Sequence, residues 1–149
     1  MEHPSVPYSL TESQKEAIAM AVQAFVRFKR EFNRDLTPSM LAEMYVALRL
    51  DLTPEQLCNR QGFDLMSSDG KRYQVKQRGT NVQNVDVNNF DFDYLVLVNM
   101  GDDYSLAGMW CLPVETARKL FVFREKFREY QATQKSVKAN AELVTLERA

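Results

Sequence analysis

The spacing of apolar residues predicts two helices at the start of the chain. The first is predicted over 12–33, behind a capping-box pattern at Thr11 and Gln14. Its apolar residues recur at roughly helical spacing: Ile18, Val22, Phe25 and Phe32. Thr37 can cap the second helix, and Pro38 suits its first turn.

Behind the second helix the apolar period changes to two, which is the period of a β-strand. Two short strands joined by a turn are predicted within 61–78. Further strands are predicted over 92–99 and 103–112, after a polar loop at 81–89. Pro113 then opens a helix that runs to about residue 130, and the tail could form another helix.

The turn within 61–78 decides which side chains of the two strands meet. A two-residue turn at 69–70 would place Asp64 opposite Val75, whereas a three-residue loop at 68–70 would place Asp64 opposite Gln74. The second register gathers four apolar side chains on one core-facing side: Phe63, Leu65, Tyr73 and Val75. We therefore predict the three-residue loop, whose last position favours glycine.

This register brings a carboxylate, an amide and an ammonium group to one face of the strand pair. Mg²⁺ takes oxygen ligands, usually one or two carboxylates together with water and substrate phosphate. Asp64 can supply the carboxylate and Gln74 an amide oxygen, while Lys76 can steady an attacking water and the charge that grows on phosphorus. Glu43, on the second helix, is a further candidate ligand. The alternative is a solvated sheet face with an ion pair.

Asp64, nine intervening residues and Gln74-Val75-Lys76 resemble the core motif of the PD-(D/E)XK nuclease superfamily. The resemblance covers about residues 36–112, with the αβββ order of that core. It implies four catalytic residues: Asp64, Gln74, Lys76 and Glu43. It also implies that Asp64, Glu43 and Gln74 bind Mg²⁺ or Mn²⁺ for the cleavage of phosphodiester bonds.

Gln74 departs from the common pattern, which has aspartate or glutamate at this position. A glutamine variant occurs in Mrr-like restriction endonucleases, so the resemblance still implies a possible activity. Because glutamine removes one negative charge, we expect weaker metal binding in this pocket.

The predicted fold class is α/β (α+β), with a restriction-endonuclease-like core. Its centre is a mixed, mainly antiparallel four-stranded sheet flanked by helices. We expect a single nuclease-like domain over 1–149, comprising an N-terminal helix at 1–35, the core at 36–112 and a C-terminal helical part at 113–149.

Composition agrees with one globular domain, since 45% of the 149 residues are hydrophobic and 26% are charged. No apolar run approaches the roughly 18 residues needed to cross a bilayer, and we expect no signal peptide and no membrane partner. Two cysteines, Cys58 and Cys111, suit a reducing compartment, so a cytoplasmic location is predicted. His3 is the sole histidine, which argues against histidine-based catalysis and a zinc site.

The net charge of -1 hides an uneven distribution. Residues 71–80 contain bases and no acid, and from them Lys71, Arg72 and Arg78 are candidate phosphate contacts. The alternative for these side chains is an ordinary charged surface. The basic stretch from 115 is interpreted as a solvated helix face, with DNA contact as the minority interpretation.

Together these features predict a metal-dependent endonuclease that acts on DNA, or on RNA as a weaker option. A homodimer is expected by analogy, because symmetric subunits would present two sites to a duplex. The alternative is a catalytically inactive nuclease-fold protein that serves as a nucleic-acid-binding or protein-interaction module.

Overall fold

The computed structural model describes residues 9–54 and 64–144. The chain forms two compact units, Met1–Leu36 and Thr37–Ala149. Within the described ranges, every helix is too short or too polar to cross a lipid bilayer.

Among the described residues of the first unit, helix α1 (Glu12–Phe32) is the regular element. Thr11 and Gln14 form the predicted capping box, because the Thr11 hydroxyl accepts the Gln14 N–H and the Gln14 side chain accepts the Thr11 N–H. The helix ends at Asn33, whose φ of 53° is left-handed. The predicted range of 12–33 is therefore confirmed to within one residue.

The second unit begins with helix α2 (Pro38–Leu50). The Thr37 hydroxyl accepts the N–H of Met40 at 3.1 Å, and Pro38 occupies the first turn as predicted. Ala42 and Val46 are its fully buried residues.

The remaining described elements follow in chain order. They are β1 (Thr53–Pro54), β2 (Leu65–Met66), β3 (Arg72–Gly79), β4 (Asn84–Val87), β5 (Tyr94–Met100), β6 (Leu106–Pro113), α3 (Val114–Leu120), β7 (Val122–Arg124), β8 (Glu129–Thr133), α4 (Gln134–Asn140) and β9 (Glu142–Leu143). One sheet has the order β1-β2-β3-β5-β6-β9, and the other has the order β4-β8-β7.

The predicted α/β class with a mixed, mainly antiparallel sheet is confirmed. β3 and β5 pair in parallel, and the other pairings among the described strands are antiparallel. The central sheet has six described strands rather than the four predicted, because short strands extend both of its edges.

Two predicted segments are wrong, and both contribute to the second sheet. The segment 81–89 was predicted as a loop, yet Val85 and Val87 are buried on β4 with Asp86 between them. The helix predicted from Pro113 to about 130 ends at Leu120, and a β-hairpin follows it. Residues 113–144 are therefore a mixture of short helices and strands, not the helical region that was predicted.

The core lies on both faces of the six-stranded sheet, because alternate residues of β5 point to opposite sides. One buried cluster joins Val96 and Val98 to Val75 and to the buried residues of α2. The other joins Leu95 and Leu97 to residues of the second sheet, α3 and α4. Strand β3 is therefore covered by α2 on its Val75 face and lies beside the second sheet on its other face.

The turn between β2 and β3 has the predicted three-residue form. The Ser67 N–H donates to the Lys71 carbonyl at 2.9 Å, and Leu65 pairs with Tyr73. Gly70 has a φ of +83°, the left-handed conformation that the last position of this loop requires. Leu65 and Val75 are buried as predicted, whereas Phe63 lies outside the described residues.

Replacing Gly70 with alanine should lower the free energy of unfolding by about 1–2 kcal/mol, because an L-residue is strained in the left-handed region. No heavy atom lies within 4 Å of the added Cβ, so backbone strain rather than a clash would cause the loss. Gly79→Ala is the matched control, since its Cβ would meet only Val82 at an ordinary 3.7 Å. Urea denaturation measures both variants, and equal stability of the two would contradict the assigned turn.

Candidate nuclease site

Asp64 lies directly before β2, at an irregularity in the strand pair. Its N–H donates to the Tyr73 carbonyl at 2.8 Å, although Tyr73 is the register partner of Leu65. This hydrogen bond is offset by one residue from the register of β2 and β3, as at a β-bulge. The register itself, Leu65 with Tyr73 and Met66 with Arg72, is the one that the three-residue loop predicts. The direct pairing of Asp64 with Gln74 stays a prediction, because the described pairing of β2 begins at Leu65.

The half-buried Asp64 side chain is held by the neighbouring strand. Its Oδ2 atom accepts the backbone N–H of Val75 at 2.9 Å. The carboxylate therefore lies against β3, the strand that carries Gln74 and Lys76, as the predicted site requires. The same hydrogen bond also gives Asp64 a structural role at the end of the hairpin.

Gln74 and Lys76 lie on the face of β3 that is opposite to Val75. Their parallel partners on β5 are Leu95 and Leu97, which belong to the core beside the second sheet. The Lys76 side chain is only 19% exposed, and its Nζ lies 3.9 Å from Asp86 Oδ2. The face does carry an ion pair, as the alternative interpretation expected, but this ion pair is largely enclosed rather than solvated.

Asp86 is the residue of this arrangement that the sequence interpretation missed. It lies on β4, between two buried valines, and its carboxylate contacts both Lys76 and Arg78. The alternation of Val85, Asp86 and Val87 was the available signal, but three residues are too few to separate a strand from a loop. Asp86 is thus a candidate positioning residue for the Lys76 ammonium group.

Arg78, a predicted phosphate contact, is engaged by oxygen atoms of the protein. Its guanidinium donates to the Gln77 carbonyl at 2.7 Å, to the Asn84 carbonyl at 3.2 Å and to the Asp86 carboxylate. These contacts hold β3 against β4. A phosphate contact by Arg78 stays a prediction and would have to compete with them.

The other two predicted phosphate contacts lie near the start of β3. The Arg72 backbone N–H donates to Asp93 Oδ2 at 2.8 Å, and its Nε lies 3.4 Å from the same atom. These hydrogen bonds, with that from the backbone N–H the strongest cause, lower the pKa of the Asp93 carboxyl group. Lys71 is exposed in the turn and remains accessible to a phosphate.

Glu43 is half-buried on α2, which packs against the Val75 face of the sheet. Gln74 and Lys76 lie on the other face, so the structure does not group Glu43 with them directly. Its role as a ligand stays a prediction. Within residues 9–54 and 64–144, no three histidine, cysteine, aspartate or glutamate side chains form a group that could hold a metal ion.

The chemistry of the donor atoms nevertheless fits Mg²⁺. This ion keeps several waters and needs only one or two protein carboxylates in addition to substrate oxygens. Asp64 offers a carboxylate beside β3, and Gln74 on that strand offers a neutral amide oxygen. The predicted Mg²⁺ or Mn²⁺ would therefore depend chiefly on Asp64.

Cys111 does not offer a competing nucleophile. It is partly buried on β6, and burial, with a smaller effect from Glu142, raises the pKa of its thiol to about 11. The thiol therefore stays protonated near neutral pH. Cys58 and His3 lie outside the described residues.

No family model matches the chain, and no curated protein matches its sequence. The interpretation of the site therefore depends on its residues and their geometry.

Proposed function

We propose that this protein is a metal-dependent phosphodiesterase that cleaves DNA, with its site on the hairpin formed by β2 and β3. The main support is the largely buried Lys76 side chain, which pairs with Asp86 and lies on the strand that the Asp64 carboxylate contacts. A carboxylate can hold the metal ion that polarises a phosphate oxygen, and an ammonium group can stabilise the charge that grows on the phosphate.

In this proposal, Asp64 and Gln74 would hold Mg²⁺ or Mn²⁺, with Glu43 as a further ligand. The ion would polarise a phosphate oxygen and lower the pKa of a bound water. Lys76 orients the attacking water and stabilises negative charge on the phosphate, while Asp86 holds the ammonium group in position. The Val75 N–H fixes the orientation of the Asp64 carboxylate.

The proposal includes a homodimer and a cytoplasmic location. Two symmetric copies would present two sites to the strands of a duplex. The two cysteines suit a reducing compartment.

The first test is cleavage of supercoiled DNA with Mg²⁺ or Mn²⁺ and with EDTA. Wild-type protein should cut only with metal, and Asp64→Asn should need a Mg²⁺ concentration about tenfold higher or more, as expected when a group that holds a metal is altered. Asparagine is chosen because its side-chain oxygen can still accept the Val75 N–H. Asp91→Asn, at an exposed aspartate, is the matched control.

Gln74→Glu tests the same site in the opposite direction. A second carboxylate should lower the Mg²⁺ concentration needed for half-maximal cleavage, because it adds negative charge beside the ion. If Asp64→Asn changes the Mg²⁺ concentration needed for cleavage no more than Asp91→Asn does, the site is elsewhere.

A catalytically inactive nucleic-acid-binding module is the second candidate function. It is favoured by Gln74, which replaces the usual carboxylate, and by the structural hydrogen bond of Asp64. Absence of cleavage with either metal, together with absence of Mg²⁺ binding in calorimetry, would support this candidate instead.

A further inference from the structure

The hairpin formed by β7 and β8, residues 122–133, exposes two large aromatic side chains. Phe123 is 51% exposed on β7, and Phe127 is 58% exposed in the turn. These two aromatic side chains lie four residues apart on one short hairpin, and large exposed apolar side chains that recur on one element indicate a binding surface. We call residues 122–133 the aromatic hairpin.

The rings of the aromatic hairpin are held by ordered neighbours. Phe123 meets Tyr130 edge-on at 5.2 Å between ring centroids, and Tyr130 meets Phe90 at 4.7 Å. Phe90 in turn lies 6.2 Å from the buried Phe92. A row of aromatic rings thus runs from the core to the surface and ends at Phe123.

The turn that carries Phe127 is also ordered. The Phe127 N–H donates to the Arg124 carbonyl at 3.1 Å, and the Arg128 N–H donates to the Glu125 carbonyl at 3.2 Å. Arg128 has a φ of 52°, which closes the turn onto β8. Both exposed rings are therefore presented by a fixed backbone, which lowers the entropic cost of binding.

The charge around these rings is positive. Residues 118–129 contain two acids, Glu125 and Glu129, and five exposed basic residues: Arg118, Lys119, Arg124, Lys126 and Arg128. The Arg118 guanidinium lies 5.1 Å from the centre of the Phe90 ring, and the Lys126 ammonium lies 5.5 Å from that of Phe127. Basic side chains and aromatic rings therefore lie next to one another around the hairpin.

We propose that the aromatic hairpin binds single-stranded DNA. Its nucleobases stack on Phe123 and Phe127, and its phosphates are bound by the neighbouring arginine and lysine side chains. Exposed rings in a positive field match the unpaired bases and charged backbone of a single strand. A duplex hides its base faces in the stack, and a second copy of the hairpin would bring like charges together. The choice of DNA rests on the proposed function, which this inference deepens by naming the form of DNA that is bound.

The test is fluorescence anisotropy with a labelled thymidine oligonucleotide of about 20 nucleotides, which exceeds the usual site size. EDTA is present throughout, so the result does not depend on cleavage. The double variant Phe123→Ala/Phe127→Ala should raise Kd about tenfold or more. Tyr104→Ala is the matched control, because Tyr104 is 57% exposed in the turn between β5 and β6.

Two further variants separate stacking from charge and from misfolding. Phe127→Ala alone should also weaken binding, and it leaves the contact between Phe123 and Tyr130 intact. Arg124→Gln/Lys126→Gln should weaken binding and reduce its dependence on salt, because fewer counterions are released.

Unchanged affinity in both aromatic variants would overturn the proposal. So would equal affinity for duplex DNA, tighter binding of the corresponding RNA, or binding of anionic vesicles in place of DNA. Loss of a dimer in the aromatic variants would assign the surface to a second copy instead. If the protein cleaves DNA with metal but its hairpin does not bind single-stranded DNA, only the proposal for the hairpin is rejected. If the hairpin binds but no cleavage occurs, only the nuclease proposal is rejected.

Discussion

Replacing Lys76 with methionine should lower the rate of metal-dependent DNA cleavage by about 10²–10³-fold, the usual cost of removing one group that stabilises charge in a transition state. Stability should change by less than about 1 kcal/mol, because methionine keeps much of the apolar stem and the lost contact is long, at 3.9 Å. Asp86 would still contact Arg78, so no enclosed carboxylate would lose all of its positive partners.

The matched control is Lys135→Met, which removes the same charge from an exposed position on α4. Single-turnover rates at saturating Mg²⁺ would separate the chemical step from metal binding, and urea denaturation would verify folding. Asp86→Asn should also lower the rate, since Lys76 would lose the carboxylate that positions it. If Lys76→Met slows cleavage no more than Lys135→Met does, the contact of Lys76 with Asp86 is purely structural.

The hairpin that carries the candidate site could be predicted because its signals are local. Alternation of apolar and polar residues set the faces of β3, and Gly70 selected the three-residue turn. The same reasoning could not locate the hydrogen bonds of Asp64. They depend on which groups meet across the strands, and Asp64 bonds to the backbone of both Tyr73 and Val75.

The second sheet could not be predicted because its strands are short and its pairing is not local. β4 has four residues and β7 has three, too few to show a period. Residues 113–130 are rich in helix-forming arginine, lysine and glutamate, yet Phe121 is buried and β7 pairs with β8. Tertiary packing overrides helix propensity in this segment.

The uneven charge along the sequence has a structural explanation. The basic stretch at 71–80 could have lined an open basic groove, but its residues contact the acidic stretch that follows. Arg72 contacts Asp93, while Lys76 and Arg78 contact Asp86. These contacts neutralise much of that basic charge, whereas the bases of residues 118–128 remain exposed. The more accessible positive surface therefore lies at the aromatic hairpin.

Gln134 should be the most sensitive polar residue between the two sheets. It is 5% exposed, and its Nε2 atom donates to the Gly79 carbonyl at 2.9 Å and to the Val82 carbonyl. Its Oε1 atom accepts a hydrogen bond of 2.7 Å from Asn99 Nδ2. Gln134 thereby ties the start of α4 to β5 and to the loop between β3 and β4.

Replacing Gln134 with methionine should lower the free energy of unfolding by about 3 kcal/mol, because a buried polar group without a partner costs about 1–3 kcal/mol and several would lose one. Gln131→Met is the matched control, since the half-buried Gln131 donates to the nearby Glu129 at 2.8 Å. Cleavage should also fall, because β4 carries the Asp86 that positions Lys76.

Urea denaturation of Gln134→Met, Asn99→Leu and the double variant would measure the coupling between the two side chains. The double variant should lose less stability than the sum of the single variants. When Asn99 is also replaced, its amide is no longer present and so cannot be left without its Gln134 partner. Additive losses would show that the Asn99–Gln134 hydrogen bond contributes nothing to stability. If Gln134→Met lowers the free energy of unfolding no more than Gln131→Met does, water replaces the hydrogen bonds of the missing side chain. In that case the position of Asp86 does not depend on Gln134.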